Sequence, residues 1–333
     1  MDDEQQDVLL RNYNFTLSAD INGPLLAAVI SIEMIAGLIA NSFVLIITIC
    51  HCSSGTWKKP STLFLTNMLI CNLFTVLLVM PLNIISLASR GWIFGVTVDQ
   101  KLITCNLAGY IYWNSVLLIS LSLMLLSIDR WIYIVQAMRY DSLVTPRRAL
   151  LAIIITWSLA IVLNVTPFFG FGTYNFLESY AGCSPIWEGH VGYVVYMLII
   201  FVSIVGTIVV TSCWTFCYLF MYIRRRKERS SIGPGRKRSI DQYVAARRKL
   251  IVLFGVLLFI HFISYLPGII TAGVVIFVSL PKEVYATSYI LFLSITTLSP
   301  LAQSCFREDI RSKLCKKKEE PPGTVDSSPF TDN

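Results

Sequence analysis

Residues 102–135 read LITCNLAGYIYWNSVLLISLSLMLLSIDRWIYIV. The run carries no charge until two opposite ones, Asp129 and Arg130, stand side by side near its end. A helix crosses a hydrocarbon layer with about 20 mostly apolar residues, so this run is long enough to span a membrane. Ionised side chains in such a span are costly to bury and mark a functional position; adjacent ones also neutralise each other, which is the purely structural alternative. Working outward, further apolar runs cover 24–50 and 61–88 before it and 149–169, 191–223, 250–277 and 284–305 after it. Each is bounded by polar, Gly, Pro or charged residues. Lipid offers the backbone no hydrogen-bond partner, so continuous runs of this kind fold as helices. A membrane β-barrel shows alternating segments of about ten residues instead. The expected fold is an all-α membrane protein, a seven-transmembrane helix bundle over 24–305, with residues 1–23 as an extracellular segment.

Composition agrees. Of 333 residues, 55% are hydrophobic and 14% charged, where soluble domains carry about 25% charged residues. The net charge of +7 is unevenly placed. Lys58, Lys59, Arg139, Arg147, Arg148, the basic residues of 224–249, and Arg307, Arg311, Lys313 and Lys316 fall on one side of the spans. Arg11, Arg90, Lys101 and Lys282 are all that the other side holds. Basic loops stay in the cytoplasm, so the N-terminus is expected outside a plasma membrane and the C-terminus inside. This topology accounts for most basic residues and leaves no nucleic-acid partner to propose; the basic helix ends also face anionic membrane lipids. Residues 1–20 begin with Asp2, Asp3 and Glu4, unlike a cleavable signal, so the first span is expected to insert the chain. Asn14-Phe15-Thr16 is a glycosylation acceptor on the outer side; Asn164-Val165-Thr166 lies within a span and is expected to stay unmodified.

Of nine cysteines, Cys105 and Cys183 fall on the oxidising side, where a bridge is chemically permitted. Most others lie in or at the inner ends of spans, where thiols pack. Cys315 sits beside Lys313 and Lys316, a juxtamembrane setting for palmitoylation, with a free thiol as the equal alternative. No Cys/His cluster has metal-ligand spacing, and no cofactor is expected. His51, His190 and His261 lie at unrelated depths, with no catalytic constellation, so no enzyme is expected. A transporter would show internal repeats and broken helices; none is visible.

Ala40-Asn41-Ser42, Trp92-Ile93-Phe94-Gly95, Cys105, Asp129-Arg130-Trp131, Trp157, Pro167, Cys183, Ser264-Tyr265-Leu266-Pro267, Ser299-Pro300 and Phe306-Arg307 occur in this order across the spans. In that order and spacing the chain resembles rhodopsin-like (class A) G-protein-coupled receptors over nearly its whole length. The resemblance implies a bridge between Cys105 and Cys183, an amphipathic helix eight over 306–316, and a heterotrimeric G protein as partner. It also marks departures: Asn72 replaces the helix-two Asp, Ser299 the helix-seven Asn, Gln303 the following Tyr, and Tyr265 the helix-six Trp. With Asn72, Ile119 and Ser299, a sodium site built on a carboxylate is disfavoured, because a hard cation wants one.

By the same resemblance, Arg130 leaves Asp129 on activation and meets the G protein. Arg247 stands where relatives carry an acid that holds that Arg; like charges repel, so basal activity is expected to be raised. Met138 is placed for the G protein, Tyr218 for the helix-five switch. Pro267 removes a backbone hydrogen bond and makes a hinge in helix six, near Tyr265 and His261; His261 reads more readily as a satisfied buried histidine than as a pH sensor. Glu33, an acid in the first span, is left without a role. Ligand-pocket candidates are Asn83, Tyr112, Trp113, Ser115, Tyr196, Ser264, Tyr265, Thr271, Tyr289 and Leu293, each equally open to a packing reading. Tyr112 stands where aminergic relatives carry an Asp, and Leu293 where opsins carry the retinal Lys. An amine and covalent retinal are thus disfavoured, and the pocket suits a lipid-like or uncharged small molecule or a small peptide. The segment before the first span leaves no room for a large ligand-binding ectodomain. Ser230 to Gly235 read as a flexible linker. The tail, 317–333, is polar and Pro-rich and expected to be disordered, with Ser327, Ser328 and Thr331 as acceptors for receptor kinases that recruit arrestin. The remaining alternative is a receptor-like membrane protein that has lost signalling.

Overall fold

The structure is a computed structural model that describes residues 14–50, 59–187, 189–228, 234–274, 278, 280–307 and 310, with backbone alone at 223, 226–228, 234–250 and 272. Among the described residues, seven helical segments are long and apolar enough to cross a membrane. The first is α1, Gly23–Cys50. The second comprises α2, Pro60–Phe74, a π-helical turn Thr75–Val79, and α3, Met80–Ala88. Pro81 explains the turn: it has no N–H to donate and its ring crowds the preceding turn, so the hydrogen-bond ladder widens there. The third is α4, Val98–Val135. A short α5, Tyr140–Leu143, links it to α6, Pro146–Asn164, the fourth span. The fifth is α7, Val191–Glu228, and the sixth is α8, Pro234–Val274. The seventh is α9, Lys282–Leu293, followed after Ser294 by α10, Ile295–Phe306.

The third span begins four residues earlier than its apolar run because polar residues start it. The Thr97 side chain accepts from the Gln100 N–H, and the Gln100 side chain accepts from the Thr97 N–H, a capping box. Its 38 residues make about 57 Å of helix, against a hydrocarbon layer of about 30 Å. It is also the axis of the bundle: 67% of its most apolar window is buried, against 11% for the fifth span. Arg130 therefore sits at one end of the most buried helix and Cys105 at the other.

The loop between the fourth and fifth spans, outside the helical bundle, forms a two-stranded antiparallel hairpin, β1, Tyr174–Leu177, with β2, Gly182–Pro185. Pro234 departs from expectation: read as part of a flexible linker, it begins α8; a proline's missing N–H is no loss in a helix's first turn.

Polar links tie the spans together. Asn41 Nδ2 donates to the Thr296 carbonyl at 2.6 Å and Asn72 Nδ2 to Asn41 Oδ1 at 3.2 Å, joining the first, second and seventh spans. Asn67 Nδ2 donates to Ser122 Oγ at 2.8 Å and its Oδ1 accepts from Trp157 Nε1 at 2.9 Å, joining the second, third and fourth. Beyond the seventh span, Ile310 is helical and packs on Val44 and Leu69. The rest of the 306–316 helix, apart from 306 and 307, together with Cys315 and the tail, lies outside the described residues.

Candidate functional site

Two polar constellations occupy opposite ends of the bundle. At one end Asp129 and Arg130 are each 2% exposed. Arg130 Nη2 lies 3.3 Å from Asp129 Oδ2. The carboxylate is further held by Ser61, whose Oγ donates to Oδ2 at 2.9 Å, and by Tyr140, whose hydroxyl donates to Oδ1 at 2.8 Å. Burial pushes the Tyr140 phenol's pKa up, and the charge of Asp129 adds to it, so the hydroxyl stays protonated and able to donate. Tyr140 in turn packs edge-on against Tyr133 at 5.0 Å. Arg130 keeps one uncompensated handle: its Nη1 is buried with no hydrogen-bond partner. A guanidinium with a vacant donor inside a closed bundle is poised for a different acceptor.

The neighbours follow from local sequence. Ser61 is placed by Pro60, which starts α2, and Tyr140 by the short α5. The sequence did not mark either as a partner of Asp129; each lies two positions from a residue that it did single out, Lys59 and Met138. Met138 is 100% exposed, an apolar side chain with nothing covering it. Tyr218 is 36% exposed on the fifth helix. Arg247 lies on α8, and its side chain is outside the described residues. Among the inner-bundle departures, Ser299 Oγ donates to Met68 Sδ at 3.3 Å, and Asn72 Oδ1 is buried without a partner. No group of three metal-ligating side chains occurs among the described residues. Pro267 lies inside α8, which continues through it to Val274; its carbonyl accepts from Thr271 Oγ1 at 2.7 Å. His261 is 4% exposed, with Nδ1 2.7 Å from the Leu257 carbonyl and its ring parallel to Tyr265. In the first span Glu33 has Oε2 buried and unpartnered.

At the other end Cys105 and Cys183 are bonded, which pins β2 to the third span. Most of the pocket candidates gather beneath the hairpin. Tyr112 packs edge-on against Tyr289 at 5.4 Å and Phe292 at 5.8 Å. The Tyr289 hydroxyl donates to Asn83 Oδ1 at 2.7 Å. Tyr265 donates to the Val116 carbonyl at 2.9 Å, receives Ser120 Oγ at 3.1 Å, and stands edge-on to Phe292. Trp113 packs between Trp187 and Phe201. Thr271 and Ser288 hydroxyls meet at 3.1 Å across the sixth and seventh spans. Ser115 turns back to the Tyr112 carbonyl, and Leu293 and Ser264 are buried. Tyr196 is the exception: its hydroxyl bonds the Leu163 carbonyl and its ring lies among Phe171 and Tyr193, on the fourth-span side.

The space above Tyr289 is filled by the chain itself. Tyr180, from the hairpin turn, stacks on Tyr289 with centroids 4.3 Å apart and planes 5° from parallel. Its carbonyl accepts from Asn83 Nδ2 at 3.2 Å. Sequence reasoning missed Tyr180. The signal for it was its place three residues before Cys183, whose bridge carries the preceding turn to the bundle mouth.

A seven-helix bundle of this connectivity, with a buried acid–arginine pair at one end and a disulfide-pinned loop at the other, is that of a membrane receptor. The family model "7 transmembrane receptor (rhodopsin family)" matches residues 40–306, and the chain belongs to this family. It is thus a multi-pass membrane receptor and not an enzyme. The chain is 28% identical over 213 residues to G-protein coupled receptor 161 of Xenopus tropicalis, covering 62% of this chain and 38% of that protein. It is 31% identical over 146 residues to a GQ-coupled rhodopsin of Mizuhopecten yessoensis, covering 44% and 28%. The alpha-1A adrenergic receptor of Oryzias latipes is 28% identical over 167 residues, 48% of this chain and 33% of that one. The matches thus span about two fifths or less of these relatives' own length. Squid rhodopsin shares the fold, with a TM-score of 0.77 over 93% of this chain and 88% of the squid chain at 19% identity.

Proposed function

We propose that this receptor passes an extracellular signal to heterotrimeric G proteins by releasing Arg130 from Asp129. The observation that carries the reading is the buried pair itself, with Ser61 and Tyr140 closing the acid and Nη1 of Arg130 left unpartnered. An acceptor brought by a G protein gives that guanidinium more than its neighbour supplies, and outward swing of the sixth helix about Pro267 opens the way to it. In this reading the Arg130 end faces the cytoplasm and the disulfide end faces outward in the plasma membrane, with Asn14 glycosylated. Met138 adds an adaptable apolar contact for the G protein. Receptor kinases and arrestin act on the tail, and Cys315 carries a lipid. The ligand is neither an amine nor covalently held retinal, because Tyr112 and Leu293 stand at the positions those chemistries need; a lipid-like or uncharged molecule or a peptide fits the aromatic lining.

The test is ligand-independent activation across a panel of G-protein classes, with wild type beside Arg130→Ala at matched surface density. A signal in the wild type that is lost in Arg130→Ala supports coupling through this residue. A signal undiminished in the variant contradicts it. Arg247 supports a second expectation. A cation there repels Arg130 where an anion would hold it, so Arg247→Glu is expected to lower the basal signal about twofold to fivefold, the effect of one ion pair worth up to about 1 kcal/mol. An unchanged basal signal counts against the idea that this cation raises it.

A further inference from the structure

The residues read as a ligand pocket are already occupied by a piece of the same chain. The hairpin turn between β1 and β2 dips into the bundle, leaving Tyr180 6% and Ala181 0% exposed. Its recognition has three parts. A ring stacks face to face on Tyr289. The Tyr180 carbonyl takes the Asn83 amide, whose own oxygen takes the Tyr289 hydroxyl, so ring and amide form one bonded unit. The backbone then passes so close to Asn83 that a Cβ on Gly182 would lie 2.5 Å from Nδ2. This is how a protein holds an aromatic residue of a peptide.

The turn is also held under constraint. Ala181 adopts φ of 49°, a left-handed conformation that a residue with a Cβ resists. Such outliers persist only where their surroundings fix them, and they gather at switch sites. Here the surroundings are the Cys105–Cys183 bridge on one side and, on the other, the Lys282–Glu178 ion pair at 2.7 Å. A strap from the N-terminal segment closes over the top. The Ser18 N–H donates to the Glu178 carbonyl at 3.0 Å, Leu17 donates to the Arg90 carbonyl, and Phe15 packs on Phe176.

We propose that the Tyr180–Gly182 turn is a built-in occupant of the pocket formed by Asn83, Tyr112 and Tyr289, and that it holds the receptor at rest until a diffusible activator displaces it. The sign follows from linkage. An occupant favours the state it is bound in, and the state with Tyr180 seated is the one with Arg130 closed on Asp129. The resting hold therefore sits at the disulfide end, opposite the end where Arg247 weakens it. A displacing ligand presents an aromatic ring to Tyr289 and a carbonyl to Asn83.

This inference rests on the coupling proposed above for its signalling arm, and a second arm is independent of it. In cells, Tyr180→Ala and Tyr289→Ala, at matched surface density, are expected to raise ligand-independent signalling roughly fivefold to tenfold, the effect of losing one buried stacked ring. In purified receptor, hydrogen exchange over the turn, 178–181, is expected to be slow and to quicken in Tyr289→Ala while the paired strands 174–177 and 182–185 stay protected. Signalling that falls in Tyr180→Ala overturns the resting role. Exchange over 178–181 that is fast in the wild type, or that Tyr289→Ala leaves unchanged, overturns occupancy. Silence in every variant with exchange behaving as expected supports the occupant and defeats the coupling reading instead.

Discussion

Replacing Cys183 or Cys105 by serine is expected to remove most of the receptor from the cell surface. The bridge closes a separation of 78 residues, and cross-linking a loop of that size limits the unfolded chain by about 4–5 kcal/mol in the chain-entropy account. Domains are stable by about 5–15 kcal/mol, so one bond carries a large share. It also acts locally: it fixes β2 on the third span, and so helps Asn83 and Tyr289 hold the turn bearing Tyr180. Either single variant and the double variant should therefore behave alike, with surface labelling cut about tenfold or more while total protein falls less. Surface density and thermal midpoint unchanged in Cys183→Ser would contradict this placement of the hairpin's stability.

The second large effect belongs to the other end. Asp129→Asn keeps the side chain's shape but removes the charge facing a guanidinium that is 2% exposed. Removing one member of a buried ion pair costs about 3–5 kcal/mol, because the survivor is left uncompensated. The closed state pays this cost, and an arrangement in which Arg130 reaches water or a G protein does not. Ligand-independent signalling is expected to rise roughly tenfold to a hundredfold at matched surface density, toward the ceiling set by full activation. Tyr140→Phe removes one 2.8 Å donor to the same carboxylate and leaves the charge. Its rise should be smaller, in line with about 1.5 kcal/mol for a hydrogen bond to a charged group. If Tyr140→Phe matched Asp129→Asn, the phenol rather than the charge would be holding the rest state.

The seven spans were legible because lipid leaves a helix little choice: runs of the right length have to be helical. Their ends were less so. The third and fourth spans start at Thr97 and Thr145, whose side chains accept from the backbone N–H groups of Gln100 and Arg148, and capping is a local matter that hydropathy does not see. The Asp129–Arg130 pair announced itself as charge in an apolar run, while Ser61 and Tyr140 did not, since a serine and a tyrosine near a span end are unremarkable until the fold brings them to one carboxylate. The pocket residues Asn83, Tyr112, Tyr265 and Tyr289 were placed by resemblance to a family, and the fold does gather them. What resemblance could not supply was the occupant. Tyr180 lies in a loop whose course depends on one bridge, a strained Ala181 and a glycine at 182 with no room for a side chain. Tyr196, for which a packing role was left equally open, sends its hydroxyl to the Leu163 carbonyl across the fourth-span interface, which spacing along the fifth helix does not dictate.

In the proposed mechanism Arg130, released from Asp129, carries the signal to a G protein. The most direct measurement is nucleotide exchange on purified heterotrimer by purified receptor in lipid discs, comparing wild type, Asp129→Asn and Arg130→Ala. The account predicts exchange above the receptor-free rate with wild type, faster exchange with Asp129→Asn, and none above background with Arg130→Ala. Exchange by Arg130→Ala equal to wild type, in discs where all three proteins are folded, would contradict it.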